Sequence, residues 1–265
     1  GVVAGYDTTA PIEVSYEKNF AGEPTGKDNP ELLYNLKSSH GHNMSIVNGI
    51  GRIGYMKGGG SALWKDENIA DSITERAVDY IRSRAEEPFF IYFAANDVHV
   101  PRFPHPRFRG SSGMGLRGDA IVQFDWSVGR LVTALRECGI LDNTLIILTS
   151  DNGPVTDDGY ADRADELLGT HKPAGELRGG KYSAFEGGAR VPFIVSWPAV
   201  VPCGGVCGGL VSQVDFLPTM AALVGVEAPA DSLIDGKDCL AAWLGGENCS
   251  REYVITQASN HTLSL

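Results

Sequence analysis

The stretch Thr-Leu-Ile-Ile-Leu-Thr-Ser-Asp-Asn-Gly at residues 144–153 decides the predicted fold class. Residues 145–148 form an apolar run that is too short for a helix and has β-branched neighbours, so it predicts a buried strand. The run then ends abruptly in polar and turn-forming residues. A strand whose carboxyl end turns polar is where open α/β sheets place their ligands.

The end of this stretch, Asp151-Asn152-Gly153, allows two interpretations. Asp151 and Asn152 offer a carboxylate and an amide oxygen side by side, and such hard ligands suit Ca²⁺ or Mg²⁺. The same residues are strong turn formers, so an Asx-type turn after a strand explains them without a metal. These ten residues alone leave both interpretations open.

Length and composition indicate a globular protein. The chain has 265 residues, of which 43% are hydrophobic and 21% charged, enough for one large α/β domain or two small ones. The formal net charge of −11 argues against nucleic acid or an acidic membrane surface as the general partner. No apolar run approaches the length of a membrane span. The first residues contain neither a signal-peptide pattern nor an initiator Met, so we expect a fragment.

Helix and strand signals alternate along the chain. The first 62 residues are rich in Gly, Pro, Asn and Ser, and they predict long loops with short elements. Apolar residues at helical spacing predict three helices, at residues 66–86, 118–139 and 211–224. Short apolar runs predict three strands, at residues 89–95, 145–148 and 191–197. This alternation favours a largely parallel sheet that is covered by helices on both faces.

The five cysteines do not settle the redox compartment. Cys203 and Cys207 form the only close pair, and neither a His nor a further Cys completes a zinc pattern. A local disulfide in this Gly-rich loop and two free thiols both agree with the sequence. The other three, Cys138, Cys239 and Cys249, are irregularly spaced.

Two further segments carry residue types suited to chemistry on an anion. His99 follows the predicted strand at 89–95, where it could donate a proton to a leaving oxygen, although a surface His in a loop is the simpler explanation. Residues 177–192 place two Gly pairs around Lys181. Such pairs let backbone approach a ligand, while Lys181 supplies a point charge.

These segments together resemble the type I sulfatases of the alkaline-phosphatase-like superfamily. The resemblance rests on three motifs in order: Phe-Phe-Ile-Tyr-Phe-Ala at 89–94 with His99-Val-Pro101, Thr-Ser-Asp-Asn-Gly at 149–153, and Gly-Gly-Lys-Tyr-Ser-Ala-Phe-Glu-Gly-Gly-Ala-Arg-Val-Pro at 179–192. It covers residues 60–225. Segments 38–42 and 51–57 resemble the intervening loop of bacterial sulfatases that act on sulfated glycans.

The resemblance implies an α/β, alkaline-phosphatase-like fold with a mixed, mostly parallel sheet between helix layers, incomplete at both ends. Residues 1–62 would form a loop-rich region and residues 63–225 the α/β core of a partial sulfatase catalytic domain. Residues 226–265 would lead to a C-terminal subdomain that is missing, because residues 251–257 resemble the strand that enters it.

The resemblance also implies roles for individual residues. Asp151 and Asn152 match the second pair of metal ligands, which hold Ca²⁺ with Mg²⁺ as an alternative. His99 matches the histidine that protonates the leaving alcohol, and Lys181 matches the lysine that grips the sulfate. A metal, a Lys and a His aimed at the leaving oxygen would stabilise the charge that builds there.

Other residues receive supporting roles. Glu186 and Arg190 are expected to brace the Lys181 segment as an ion pair. Substrate-side groups are expected among the basic residues of the loops, namely His105, Arg107 and His171, with His40 and His42 as further candidates.

The sequence departs from the family in two respects. The family nucleophile is a formylglycine made in a Cys/Ser-x-Pro-x-Arg motif, which occurs nowhere in these 265 residues. The first pair of metal aspartates has no counterpart ahead of residue 60. The chain is therefore expected to begin after the nucleophile segment and to be inactive by itself.

The predicted function is a sulfuric ester hydrolase that removes sulfate from a sulfated saccharide or an aryl sulfate. The alternatives are a phosphodiesterase or phosphonate monoester hydrolase of the same superfamily, and a non-catalytic glycan-binding relative. The expected partner is a sulfated small molecule or glycan, with no nucleic acid and no membrane span, and the oligomeric state is open. Family analogy predicts a periplasmic or secreted location.

Overall fold

The computed structural model describes residues 7–227, 235–246 and 251–265. The chain divides into two compact units, each built from separate stretches of sequence. The first unit comprises Gly1–Ala134 with Thr156–His171, and the second comprises Leu135–Val155 with Lys172–Leu265. The three regions expected from the sequence, 1–62, 63–225 and 226–265, stay a prediction.

The first unit begins with short strands and long loops, as the sequence predicted. Strand β1 (Ile12–Ser15) pairs antiparallel with β4 (Tyr55–Gly58), and β2 (Ile46–Val47) pairs antiparallel with β3 (Ile50–Gly51). Helix α1 (Ile69–Ser83) follows within the predicted range 66–86. It buries a stripe spaced at three or four residues, formed by Ala70, Thr74, Val78 and Ile81.

Helix α2 (Gly115–Glu137) confirms the long helix predicted at 118–139, and Gly139 follows its end with a φ of +71°. Of the predicted apolar stripe, Leu135 is buried, whereas Ile121 and Phe124 are only half-buried. Four buried positions of the helix are polar instead: Arg117, Asp119, Gln123 and Ser127. Among them, Asp119 and Gln123 form hydrogen bonds with neighbouring loops.

A small hydrophobic core holds the first unit together. It consists of Leu36, Ile50, Val100, Phe103 and Tyr160. The Tyr160 hydroxyl donates a hydrogen bond to the Gly51 carbonyl at 2.7 Å. Burial raises the pKa of Tyr160 to about 12. Because Val100 is part of this core, the residue next to His99 is anchored.

The second unit contains the strand predicted at residues 145–148. Strand β5 (Ile146–Thr149) pairs antiparallel with β6 (Phe193–Ser196), in a register that runs from Ile146–Ser196 to Thr149–Phe193. Both strands lie close to their predicted positions. The unit also contains three helices and a second strand pair: α3 (Glu186–Ala189), α4 (Phe216–Val224), α5 (Leu240–Trp243), and β7 (Thr256–Gln257) with β8 (Leu263–Ser264).

Aromatic rings pack the strand β6 against two of these helices. The rings of Phe193, Phe216 and Trp243 form a triangle with centroid separations of 4.9 to 5.9 Å. Helix α4 confirms the helix predicted at 211–224, although it begins later, after a 3₁₀ turn at Gln213–Asp215. The three rings hold β6 in place, and through the β5–β6 pairing they also hold β5.

The α/β class is confirmed, but the strand directions differ from the prediction. The named strands that the structure describes pair only antiparallel, where a mostly parallel sheet was expected. Residues 89–95, predicted as a strand, are not paired with another described segment, and Phe90 and Tyr92 are exposed. Apolar residues make a segment suited to a sheet, but a strand also needs backbone hydrogen bonds to a neighbouring strand.

The cysteines settle one alternative. Cys203 and Cys207 are free and exposed, so the two-thiol interpretation of the Gly-rich loop is confirmed. Cys138 is also free, whereas the fully buried Cys239 is disulfide-bonded. Cys249 lies outside the described residues. No helix in the described part of the chain is both long and apolar enough to cross a membrane.

Helix α4 is anchored by the buried carboxylate of Asp215. Its oxygens accept hydrogen bonds from the backbone N–H groups of Ser212 at 2.7 Å and Lys237 at 2.8 Å. The Arg251 guanidinium binds the same carboxylate, with Nε 2.9 Å from Oδ2. Burial opposes ionisation, but these hydrogen bonds outweigh it and hold the pKa of Asp215 below its usual value.

Because the folded pKa is lowered, Asp215 should make stability pH-dependent in acid. Its contribution is complete above the unfolded pKa of about 3.9 and is lost as the pH falls through the lower folded value. We expect the difference in unfolding free energy between wild type and Asp215→Asn to be constant from neutral pH to about pH 5 and to shrink below pH 4. Urea unfolding at each pH measures it. The exposed Asp125→Asn is the control, and a difference that persists unchanged in acid would contradict the assignment.

Candidate active site

The turn after β5 places Asp151 and Asn152 at the surface of the second unit. Asp151 Oδ1 accepts a hydrogen bond from the Asn152 backbone N–H at 3.0 Å, and Asn152 Nδ2 donates to the Gly153 carbonyl at 2.9 Å. Both contacts join adjacent residues, whereas an Asx turn needs a side-chain oxygen that accepts from the N–H two residues on, so the Asx-type turn stays a prediction. Among the described residues, Asp151 forms no ion pair. The turn therefore leaves an exposed carboxylate that a cation can approach.

The Lys181 segment lies directly against this turn. The Gly153 N–H donates to the Gly188 carbonyl at 2.8 Å, and the Lys181 N–H donates to the Pro154 carbonyl at 2.9 Å. Two backbone hydrogen bonds thus join the turn to the Lys181 segment. Two motifs that are about thirty residues apart in the sequence form one surface region, which we call the turn–lysine site (residues 151–154 and 179–188).

Glycines make this close approach feasible. A Cβ atom on Gly153 would lie 1.9 Å from the Gly187 carbonyl oxygen, and one on Gly180 would lie 2.6 Å from the Pro154 carbonyl oxygen. Both distances are far below van der Waals contact. The Gly pairs around Lys181 therefore let two protein segments touch, whereas the sequence suggested that they make room for a ligand.

Lys181 itself is half-buried. Its Nζ lies 5.2 Å from the ring centre of Tyr182, which stands in the left-handed backbone region at φ +77°. The expected brace is confirmed, since Arg190 Nη1 lies 3.3 Å from Glu186 Oε2. Both side chains of that pair are exposed, so it orients the loop more than it stabilises the protein.

The donor set at the turn fits part of a calcium shell. The Asp151 carboxylate and the Asn152 amide oxygen are hard donors, and the hydrogen bond from Asn152 Nδ2 to Gly153 fixes which end of the amide is the oxygen. Ca²⁺ takes about six to eight oxygens, so two residues supply a fraction of the shell. Within the described ranges, no group of three or more His, Cys, Asp or Glu side chains is placed to hold a metal.

His99 lies on an exposed loop of the first unit. Its Nδ1 is 2.8 Å from the Val100 carbonyl oxygen, and its backbone N–H donates to the Asn96 carbonyl at 3.1 Å. A carbonyl only accepts, so Nδ1 carries the hydrogen and Nε2 is the nitrogen left for proton transfer. This geometry is compatible with the predicted role, and that role stays a prediction.

Helix α2 supports the loop that carries His99. Gln123 Nε2 donates to Asp97 Oδ1 at 2.6 Å, and Gln123 Oε1 accepts from the His105 backbone N–H at 2.8 Å. Burial raises the pKa of Asp97, although the hydrogen bond from Gln123 opposes the shift. Sequence reasoning missed Gln123 because it assigned the buried face of this helix to apolar residues.

A buried ion pair braces the same loop from the other side. The guanidinium of Arg102 binds Asp162 at 2.8 Å, and the two side chains are 1% and 3% exposed. Arg102 also donates from Nε to the Val98 carbonyl at 3.1 Å and from Nη1 to the Thr156 carbonyl at 2.8 Å. The loop is thereby tied to residues sixty positions further along. Nothing local in the sequence marks this pair.

The predicted substrate-side residues near α2 have structural partners. Arg107 binds the Asp71 carboxylate with both terminal nitrogens, at 2.6 and 2.9 Å, and lies 4.3 Å from the Trp126 ring centre. His105 caps the 3₁₀ turn Pro106–Phe108, where its Nδ1 accepts from the Arg107 N–H at 3.3 Å. Their roles in substrate binding stay predictions.

The remaining histidines of the first unit are spread over its loops. His171 is exposed, and its backbone N–H donates to the Leu168 carbonyl at 3.0 Å. His40 Nε2 lies 3.2 Å from Asp157, and the His42 ring stacks on Tyr160 with 4.7 Å between centroids. A role for His171 in substrate binding also stays a prediction.

Known proteins match this chain over most of its length. The family model described as Sulfatase matches residues 3–226. An N-acetylgalactosamine-6-O-sulfatase of Bacteroides thetaiotaomicron is 52% identical over 265 residues, which is 100% of this chain and 52% of that protein. The N-acetylgalactosamine-6-sulfatase of Canis lupus familiaris is 36% identical over 188 residues, covering 70% of this chain and 34% of that protein.

Solved structures agree with these matches. A sulfatase studied for the metabolism of multiple glycosaminoglycans by Bacteroides thetaiotaomicron superposes with a TM-score of 0.93 at 52% identity, over 98% of this chain and 54% of that one. A Pseudoalteromonas sulfatase superposes with a TM-score of 0.62 at 32% identity, over 74% and 38%. These neighbours confirm the alkaline-phosphatase-like fold. The chain spans about half the length of the first of these relatives. It belongs to the sulfatase family.

Proposed function

We propose that the protein is a sulfuric ester hydrolase that removes sulfate from a sulfated saccharide. The observation that supports this most is the backbone contact between the Asp151 turn and the Lys181 loop. It gathers a carboxylate, an amide oxygen and an ammonium group in one surface region of a chain with the sulfatase fold. A sulfate ester carries dispersed negative charge that grows on the leaving oxygen, and such a group needs fixed positive charge nearby.

Each candidate residue has a proposed task. Lys181 supplies a point charge to the sulfate, and His99 Nε2, when protonated, donates a proton to the leaving alcohol. Asp151 and Asn152 would hold Ca²⁺ or Mg²⁺, which when bound polarises the sulfate oxygens as a Lewis acid. The formylglycine nucleophile of the family would come from sequence outside these residues, because they contain no Cys/Ser-x-Pro-x-Arg motif. The 265-residue chain alone is therefore expected to be inactive.

The relatives support a sugar substrate. The bacterial relative at 52% identity is named for N-acetylgalactosamine 6-O-sulfate. A further structural neighbour, at 30% identity and a TM-score of 0.57, was solved in complex with a neocarrahexaose. We therefore take a 6-O-sulfated N-acetylhexosamine within a glycan as the proposed substrate. A periplasmic or secreted location, where such glycans are degraded, goes with this proposal.

Sulfate release by the full-length protein tests the proposal. The protein is incubated with a 6-O-sulfated N-acetylgalactosamine disaccharide and, separately, with bis(4-nitrophenyl) phosphate. Ion chromatography is expected to show inorganic sulfate from the disaccharide. Phosphodiester cleavage without sulfate release would support the phosphodiesterase alternative, and disaccharide binding without either reaction would support a glycan-binding relative.

Metal dependence gives a second prediction. Chelation by EDTA should lower sulfate release by about 10²-fold or more, and added Ca²⁺ should restore it. Asp151→Asn should raise the Ca²⁺ concentration needed for half-maximal rate by about tenfold or more, since it removes a charged ligand. The control is Asp142→Asn, which changes an exposed aspartate of the same unit. An unaltered Ca²⁺ requirement in Asp151→Asn would remove Asp151 from the metal site.

A further inference from the structure

A cavity of about 480 Å³ lies next to the Lys181 loop, within the second unit. One wall is the loop segment 182–185, and the other is the hairpin formed by β7, β8 and the residues between them. We call it the hairpin cavity. Its volume falls within the range of small-molecule sites, about 300–1,000 Å³. Its lining residues 182–185 belong to the turn–lysine site, whereas those of the hairpin lie outside it.

The two walls are joined by hydrogen bonds, so the cavity is a built feature. The Ser259 N–H donates to the Tyr182 carbonyl at 3.1 Å, and Thr256 Oγ1 donates to the Ala184 carbonyl at 3.3 Å. The hairpin is itself closed by a bond from the Ala258 N–H to the Thr262 carbonyl at 2.8 Å. The hairpin therefore keeps a fixed position relative to the residue that follows Lys181.

Two aromatic side chains line the cavity and remain exposed. Tyr182 is 53% exposed and Phe185 is 45% exposed. Tyr182 also holds a φ of +77°, a backbone conformation that is strained for a non-glycine residue. The hydrogen bond from Ser259 to the Tyr182 carbonyl helps to hold it there. Tyr182 thus combines a strained backbone conformation with an exposed aromatic ring beside a cavity. Such a residue is suited to receive a ligand.

The polar and charged groups around the two rings indicate the chemical class of the ligand. Ser183, Ser259, Asn260 and Thr262 bring hydroxyl and amide groups to the cavity wall. The Arg178 guanidinium lies 3.9 Å from the Phe185 ring centre, and Lys181 Nζ lies 5.2 Å from that of Tyr182. In a chain of net charge −11, these two cations bring positive charge to the loop segment that lines the cavity. Aromatic faces, neutral hydrogen-bonding groups and adjacent cations together suit an anionic saccharide.

We propose that the hairpin cavity binds the sugar ring of a sulfated saccharide whose sulfate is held by Lys181. The proposal rests on the proposed function, because it takes Lys181 as the sulfate-binding residue. Tyr182 and Phe185 supply apolar faces to the ring, and Asn260 with the hydroxyl groups binds its oxygens. Two consecutive residues then bind different parts of the ligand: Lys181 binds the sulfate, and Tyr182 contacts the sugar ring.

Binding of two probes to the full-length protein separates the sides. The probes are a 6-O-sulfated N-acetylgalactosamine disaccharide and its desulfated form, with dissociation constants measured by calorimetry. Tyr182→Asn removes the ring but keeps a residue type that accepts positive φ. It should weaken binding of both probes by about tenfold. Lys181→Ala should weaken the sulfated probe only.

The matched control is Tyr253→Asn, which removes an exposed tyrosine of the same unit that does not line the cavity. Three results would overturn the inference. They are unchanged binding of both probes to Tyr182→Asn, an equal loss of binding in Tyr253→Asn, and no binding of either probe to wild type. Thermal unfolding checks that the variants are folded. Failure of the proposed function has a different signature, namely saccharide binding that follows these expectations without any release of sulfate.

Discussion

Replacement of Lys181 by alanine is expected to lower kcat/KM for sulfate release by about 10²–10³-fold in the full-length protein. The ammonium group is carried by the loop whose backbone is hydrogen-bonded to the Asp151 turn. The Lys181 N–H would still donate to Pro154 in the variant, so the loop should keep its position. The loss should therefore fall on catalysis, and the unfolding midpoint should change little.

Lys172→Ala is the matched control for this experiment. Lys172 is exposed and pairs with Glu176 at 2.7 Å. Such surface pairs contribute about 0–1 kcal/mol, and this lysine is outside the turn–lysine site, so sulfate release should stay within twofold of wild type. A Lys181→Ala protein that keeps more than half of wild-type kcat/KM would show that Lys181 does not act on the sulfate.

Asp162→Ala is expected to lower the free energy of unfolding by about 3–5 kcal/mol. The substitution leaves Arg102, which is 1% exposed, without its carboxylate in the interior of the first unit. The loss is costly because the carbonyl oxygens of Val98 and Thr156, which still accept from the guanidinium, carry no full negative charge to balance it. Urea unfolding, followed by circular dichroism, measures the change.

The exposed pair of Arg163 and Glu166 provides the comparison. Arg163 Nε lies 2.7 Å from Glu166 Oε2, which is about the distance in the buried pair, but both side chains are more than half exposed. Glu166→Ala should therefore cost less than about 1 kcal/mol. A loss below about 1 kcal/mol in Asp162→Ala would contradict the assignment, since it would mean that Arg102 finds water or another partner.

Local patterns in the sequence predicted most of the regular structure. The helices at 66–86 and 118–139 and the strands at 145–148 and 191–197 all appear, because apolar spacing and the Gly or Pro at their ends are properties of a few neighbouring residues. The strand at 89–95 shows the limit of this approach. Its residues are suited to a sheet, but strand pairing depends on a segment elsewhere in the chain.

Polar contacts between distant residues were not predictable. Arg251 reaches Asp215 across 36 residues and Arg102 reaches Asp162 across 60, and each partner alone reads as an ordinary surface charge. The polar face of α2 was missed for a related reason. Periodicity indicates which side of a helix is apolar, but it does not show that Gln123 is needed by the backbone of a loop.

The candidate site was predictable only in part. The motifs around Asp151 and Lys181 marked their chemistry, and the Gly pairs marked a close approach of backbone. That the approaching segment is protein was not predicted, because the contact between Gly153 and Gly188 lies at the ends of strands β5 and β6 and depends on their antiparallel pairing. The sequence predicted a mostly parallel sheet and assigned no direction to this pair of strands.

The Asp151 turn and the Lys181 loop are proposed to act on one sulfate group. The most direct measurement is kcat/KM for sulfate release by wild type, Asp151→Ala, Lys181→Ala and the double variant. Residues that act as a unit are strongly non-additive, so the double variant should be no more than about tenfold slower than the slower single variant. A double variant whose loss equals the product of the two single losses would show that the two segments act independently.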